Sequence, residues 1–299
     1  MLRFAAALLL GLSACQGDAQ QAGADPSHFA RVRPPAVAGQ FYPADSAKLA
    51  RGIEAYLDAA VAPAAEKPLA IITPHAGYIY AGQIIADAFA QAAPFEYDLV
   101  VILGTNHTTP GFASVSIYEG SGYRTPLGVA PIDTELAKRL IDGDPDVSFY
   151  EPVHQREHSV EVQVPFVQKL FPAAEILPAV IGQPDLDLCT RFGNALADAL
   201  EGRDALIVAS SDLSHYPDEE DALSVDREFL EAVTTLDPGR IKTITGKKID
   251  GGVPNLVTRA CGAGPIIAAV TAATMLGATN ARVVSYANSG LTAVGSHEK

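Results

Sequence analysis

Leu99-Val100-Val101-Ile102-Leu103-Gly104-Thr105-Asn106-His107 is five apolar residues followed by a polar tail that ends in an imidazole. A run that is apolar at every position buries both faces, as a central strand covered by helices on each side does. Three more runs have this character: Leu69-Ala70-Ile71-Ile72-Thr73, Glu175-Ile176-Leu177-Pro178-Ala179-Val180-Ile181 and Ala205-Leu206-Ile207-Val208-Ala209. Ala36 to Phe41 reads as a first strand, and Arg282-Val283-Val284-Ser285-Tyr286 as a last one. Between the runs lie amphipathic patterns. Asp45-Ser46 opens a helix with Leu49, Ile53, Tyr56 and Leu57 on one face, and helices are expected over residues 83–91, 134–141, 158–170, 186–200, 221–235 and 264–276. Alternation of strand and helix implies a three-layer α/β/α fold with a mostly parallel sheet. The stretch from Thr108 to Val129 alternates as an antiparallel hairpin does, so the sheet is expected to be mixed.

The chain has 299 residues, of which 48% are hydrophobic, enough for one large α/β domain. Its formal net charge of −14 repels phosphate backbones, which sets nucleic acid aside as a partner. The first residues form a segment of their own. Arg3 supplies one positive charge, Phe4 to Leu12 is an apolar run too short to span a bilayer, and Leu12-Ser13-Ala14-Cys15 has the form of a lipobox. The expected organisation is a lipoprotein signal peptide over residues 1–14, a lipidated tether over 15–32 beginning at Cys15, and a folded domain over 33–299. Gln16, rather than Asp, follows the cysteine. By resemblance to sorted lipoproteins this implies a lipid-anchored protein of the bacterial outer membrane, facing the periplasm.

Three polar clusters each follow a strand directly: Pro74-His75-Ala76-Gly77-Tyr78, Gly104-Thr105-Asn106-His107 and Ser210-Ser211-Asp212-Leu213-Ser214-His215. Ligands in open α/β sheets bind beyond the carboxyl ends of the strands. Imidazoles delivered there by three strands suggest one shared site, and neutral imidazole is the commonest protein metal ligand. A third ligand could come from Cys261, which precedes a helical run in Arg259-Ala260-Cys261-Gly262-Ala263-Gly264-Pro265. A thiol at a helix start is expected to have a lowered pKa. On spacing alone Cys261 is equally well a buried thiol in a Gly/Ala-rich junction. Cys189 lies inside an amphipathic helix pattern and reads as a packed residue, although a Cys189–Cys261 disulfide stays open. Asp212 is placed to accept a hydrogen bond from a ligating imidazole or to ligate directly. His158, in Glu157-His158-Ser159-Val160-Glu161-Val162-Gln163, could face the same site, whereas His154 reads as a surface residue.

Taken together and in order, these five motifs resemble the Memo family, whose bacterial and archaeal members are often called AmmeMemoRadiSam system protein B. The resemblance covers about residues 33 to 295. It implies a fold similar to that of class III extradiol dioxygenases, with two histidines kept and a cysteine in place of the carboxylate ligand. Carried over by motif, the metal ligands are His75, His107 and Cys261. His215 matches the dioxygenase acid/base, and Asp212 and His158 line the pocket as candidate catalytic residues. The cofactor implied is one iron or copper ion, with zinc possible, and the role implied is redox or oxidoreductase chemistry. The alternatives are a ring-cleaving dioxygenase, in which Glu157 or Glu161 approaches the metal, and a non-catalytic protein that holds a small molecule or peptide. The export signal departs from the family's usual cytosolic setting and puts a radical-SAM partner in doubt.

Overall fold

A computed structural model of the chain describes residues 31–247 and 252–291. The expected signal peptide and almost all of the tether, Cys15 included, lie outside the described residues. Nine strands occur among the described residues: β1 (Val32–Arg33), β2 (Ala70–Thr73), β3 (Leu99–Thr105), β4 (Val115–Ile117), β5 (Gly122–Thr125), β6 (Gly128–Pro131), β7 (Val147–Ser148), β8 (Glu175–Ile181) and β9 (Ala205–Ser210). The main sheet has six strands in the order β2-β9-β3-β8-β4-β7. Its first four are mutually parallel, while β4 runs antiparallel to β8. The sheet is therefore mixed.

The doubly apolar runs do what such runs must. Leu99, Val101 and Leu103 of β3 point into one core, and Val100 and Ile102 point into the other. Strand β9 divides the same way, with Ile207 and Ala209 on one face and Leu206 and Val208 on the other. Alternate side chains of a strand leave opposite faces of the sheet, so a strand apolar throughout needs cover on both. On one face that cover comes chiefly from α6 (Leu186–Leu200), α8 (Pro238–Thr245) and α9 (Ala263–Met275). On the other it comes from α1 (Ser46–Asp58), α2 (Tyr78–Ala90) and α5 (Val164–Leu170). Helices α3 (Thr134–Gly143), α4 (Glu151–Gln155) and α7 (Glu219–Thr234) complete the set among the described residues. Full burial of each Leu or Ile contributes about 1.5–3 kcal/mol.

Aspartates start five of the helices. The side chains of Asp45, Asp133, Asp185, Asp218 and Asp237 each accept a backbone N–H from the first turn that follows. Each thereby satisfies a donor that the helix itself leaves unpaired.

Four sequence expectations are corrected. Residues 36–41 form a turn rather than a strand, with Gly39, at φ +83, donating to Tyr42 O; the first strand is the shorter β1. The alternating stretch after Thr108 is not one hairpin. Its first strand, β4, joins the main sheet, and the hairpin β5–β6 belongs to a separate three-stranded sheet with β1. The helix expected over 158–170 begins as a 3₁₀ turn at Glu161–Gln163 and becomes α-helical only at Val164. Residues 282–286 form no strand. Val283 is 48% exposed, and the segment is tied down by side chains instead, with Arg282 donating to Gln91 and the Tyr286 hydroxyl to Asp226 at 2.8 Å. A run of β-formers needs a partner edge. Here β2 and this segment line a cavity of about 1150 Å³ without pairing across it.

Candidate metal centre

The order β2-β9-β3 sets the three histidine-bearing strand ends side by side. Thr73 of β2 pairs with Ser210 of β9, and Ala209 of β9 with Leu103 of β3. β2 and β3 are thus not direct neighbours: β9 lies between them and brings Ser210 and Asp212 into the middle of the site. Two glycines make the close packing possible. A Cβ on Gly104 would stand 2.5 Å from Ser159 Oγ, and one on Gly262 would stand 2.3 Å from Ser210 O. Neither position has room for a side chain.

One ligand atom from each of His75, His107 and Cys261 lies within 4.8 Å of the other two. Donors held by one tetrahedral ion at about 2.0–2.3 Å stand roughly 3.3–3.8 Å apart, a spacing that this upper bound admits. Cys261 Sγ is 3.1 Å from His75 Nε2. The cysteine is fixed from both sides, with its carbonyl accepting from Thr105 Oγ1 at 3.0 Å and its N–H donating to Asp212 O at 3.3 Å.

The two imidazoles are oriented from behind. His107 Nδ1 lies 2.9 Å from Glu157 Oε1, and its backbone N–H donates to Glu157 Oε2 at 2.7 Å. The backbone N–H groups of His158 and Ser159 also donate to Oε1, each at 2.9 Å. Burial alone would raise the Glu157 carboxyl. The hydrogen bond and charge of His107, the Ser159 N–H and the nearby His158 outweigh it and hold the group at about 2. An ionised carboxylate only accepts, so the His107 ring presents an Nδ1–H to Glu157. His75, 1% exposed, has its Nδ1 3.0 Å from Ser210 Oγ. Burial lowers its pKa to about 4 against the pull of Asp212, which keeps the ring neutral and able to ligate.

Asp212 sits behind the His75 loop. Its Oδ1 accepts the backbone N–H groups of His75 and Ala76, at 2.7 and 3.1 Å, while Oδ2 lies 3.9 Å from the His75 ring. It therefore holds the loop that carries His75 rather than the imidazole. One ligand atom each from Asp212, His215 and Cys261 also lie within 4.8 Å of one another, a second group that could hold an ion and that shares the thiol. The His215 backbone is bridged to Thr258, and Tyr216, which follows, has φ +72. His158 closes the other side. Its ring stacks on His107 at 4.6 Å between centroids, meets His75 edge-on at 5.3 Å and touches Phe41 at 4.7 Å.

The cysteine reading needs one correction. Burial and the nearby Asp212 push the Cys261 thiol up to about 12, so without a cation it stays protonated; the helix-start effect is the weaker one here. Cys189 is fully buried and both cysteines are free thiols, so no disulfide joins them.

His154 is likewise not at the surface. It is 1% exposed, with its ring nitrogens 2.8 Å from Ser116 Oγ and 3.1 Å from Tyr123 Oη. Of the two glutamates that could supply a dioxygenase-type carboxylate ligand, Glu157 forms with His107 and His158 a further group whose ligand atoms lie within 4.8 Å of one another, and Glu161 is paired away from the site. Glu157 accepts the four hydrogen bonds above. Glu161, fully buried, pairs with Arg33 at 2.5 Å and accepts from the N–H groups of Ala36 and Val37 and from the Tyr42 hydroxyl. Sequence reading missed the supporting residues Ser159, Gln163 and Ser210. Their only signal was proximity to the motif histidines.

A mixed α/β sheet with two histidines and a cysteine gathered at the carboxyl ends of its parallel strands defines the class: an α/β protein with a candidate His-His-Cys metal centre. The chain belongs to the Memo family, whose description as "Memo-like protein" matches residues 33–298. It is 38% identical over 267 residues to a MEMO1 family protein of Aquifex aeolicus, covering 88% of this chain and 94% of that one. It is 34% identical over 272 residues to one of Caldivirga maquilingensis, covering 87% and 93%. A solved structure of an uncharacterized Escherichia coli K12 protein is similar over 60% of this chain and 76% of its own, with TM-score 0.40 and 17% identity; at that level it carries no argument.

Proposed function

We propose that this protein binds one redox-active transition-metal ion, iron or copper, through His75, His107 and Cys261, and that it serves as a metal-dependent redox protein or oxidoreductase of the cell envelope. The observation that carries the reading is the convergence of three donors, each within 4.8 Å of the others, at a strand-end edge. Glu157 and Ser210 stand behind the Nδ1 atoms of His107 and His75, at 2.9 and 3.0 Å. A thiolate beside two imidazoles is a soft set that favours Cu(I), Fe(II) or Zn over Mg or Ca. Bound there, such an ion supplies one-electron chemistry or, for zinc, Lewis acidity. Asp212 positions the His75 loop. His215, close to both Asp212 and Cys261, is the group available to hold or move a proton. The saturated carboxylates of Glu157 and Glu161 weigh against a ring-cleaving dioxygenase with a two-histidine, one-carboxylate iron site.

A metal titration of four variants tests the assignment. His75→Ala, His107→Ala and Cys261→Ser are expected to lose binding, and His215→Ala to keep it. Full affinity in both histidine variants moves the site elsewhere and favours the non-catalytic binding role. The envelope setting rests on Leu12-Ser13-Ala14-Cys15 after a short apolar run. A Cys15→Ser chain is expected to lose the acyl mass and to leave the membrane fraction. If wild type carries no acyl mass and Cys15→Ser fractionates as before, the anchor is wrong.

A further inference from the structure

We propose that Ser210 is a positioning residue that sets the tautomer of His75, and that Gln163 in turn sets Ser210. The hydroxyl of Ser210, fully buried, has one proton and three neighbours: Ser159 O at 2.7 Å, Gln163 Nε2 at 3.0 Å and His75 Nδ1 at 3.0 Å. A carbonyl only accepts, so the proton goes to Ser159 O. The orientation of the Gln163 amide is not free either. Its Nε2 also donates to Pro74 O at 2.8 Å, and exchanging its nitrogen and oxygen would set two carbonyl oxygens against each other. Gln163 therefore donates to Ser210. With its proton spent, the Ser210 oxygen can only accept from His75, and His75 must carry its hydrogen on Nδ1. That leaves the Nε2 lone pair facing Cys261 Sγ, 3.1 Å away. An imidazole protonated on Nε2 would present a hydrogen there and could not ligate.

The supports of the two histidines meet in one segment. Ser159 takes the Ser210 proton on its carbonyl, gives its N–H to Glu157 Oε1, and pairs twice with Thr105 at the end of β3, at 3.0 Å each way. Gln163 holds both Pro74, next to His75, and Ser210 behind its ring. Residues 157–163 are thus a brace that fixes the protons of both imidazoles before any metal arrives.

The inference rests on His75 being a metal ligand, but its first test needs no metal. The full chain is labelled with ¹⁵N in its imidazoles and its ring nitrogens are read by NMR in the metal-free state near neutral pH. The His75 signal is assigned by its loss in His75→Gln. Wild type is expected to show His75 protonated on Nδ1 and bare on Nε2. Ser210→Ala is expected to acquire an Nε2–H population and to bind Zn(II), a redox-silent probe, about tenfold more weakly. Ser210→Thr, which keeps the hydroxyl, is expected to restore the Nδ1–H form. Wild-type His75 protonated on Nε2 overturns the proposal. So does a folded Ser210→Ala that keeps Nδ1–H, even with weaker zinc binding, because Ser210 is then only structural. If Ser210→Ala fails to fold, the wild-type spectrum decides alone. Wild type that binds no zinc refutes the ligand reading and leaves the tautomer result standing.

Discussion

His75 is buried at 1% exposure and rests on a neutral hydroxyl, whereas the His107 side chain is 29% exposed and rests on an ionised carboxylate. Both supports hold the ring by its Nδ1, by different physics. Behind His75, a chain of neutral hydrogen bonds leaves only one arrangement of protons. Behind His107, a charge held at low pKa attracts the ring N–H and makes Nε2 more basic. The rigid, dry position tolerates a weak partner because burial already keeps its imidazole neutral. The wetter position needs a charge-assisted bond, roughly twice as strong as a neutral one.

Breaking the charged support is therefore expected to cost more than breaking the neutral one. Glu157→Gln should weaken metal binding toward the upper end of about 10–100-fold, against the tenfold expected of Ser210→Ala. It should also destabilise the metal-free chain by about 1–3 kcal/mol, because an amide cannot accept from all four N–H groups that now meet the carboxylate. Isothermal titration and urea unfolding read the two effects. Equal losses of affinity in the two variants would show that the charge is irrelevant and would collapse the distinction.

His154 sharpens the comparison as a second buried imidazole, one held by Ser116 and Tyr123 rather than at the metal site. Burial, helped by Arg33, lowers its pKa to about 3. In the unfolded chain it titrates near 6.5. Between those values the unfolded chain binds a proton that the native one refuses, so stability is intact above pH 6.5 and declines as pH falls through it. The Glu157 carboxyl, depressed to about 2, costs stability only once pH falls below about 4.5, so it does not contribute in this window. From pH 6.5 to 5 the metal-free chain should lose about 1–2 kcal/mol through His154. His154→Gln, less stable at pH 6.5, should show a pH slope shallower by that amount in urea midpoints. Parallel slopes would mean that the His154 ring is protonated in the folded chain.

The elements that positioned the site were legible because one local property marked each. Strands β3, β8 and β9 are apolar on both faces, helix α1 starts at a capping aspartate, and the histidines sit one step beyond a strand. What stayed hidden depends on contacts distant in sequence. The insertion of β9 between β2 and β3 joins residues about 100 to 140 positions apart. The saturation of Glu157 is visible only once His107, 50 positions earlier, is in place. The raised Cys261 thiol reflects burial, which a helix-start motif does not report. His154 looked solvated among Glu151, Gln155 and Arg156, yet its ring enters the space between Ser116 and Tyr123. Residues 282–286 have strand composition but no ladder partner, which composition alone does not reveal.

The central claim is that two imidazoles and one thiol at the strand-end edge hold a single transition-metal ion. Elemental analysis of the full chain, purified without oxygen from its own cells, tests it most directly. The account predicts close to one equivalent of iron or copper per chain, lost together with either histidine in His75→Ala and His107→Ala. A chain that carries no stoichiometric transition metal, or one whose metal content is unchanged in both variants, contradicts it.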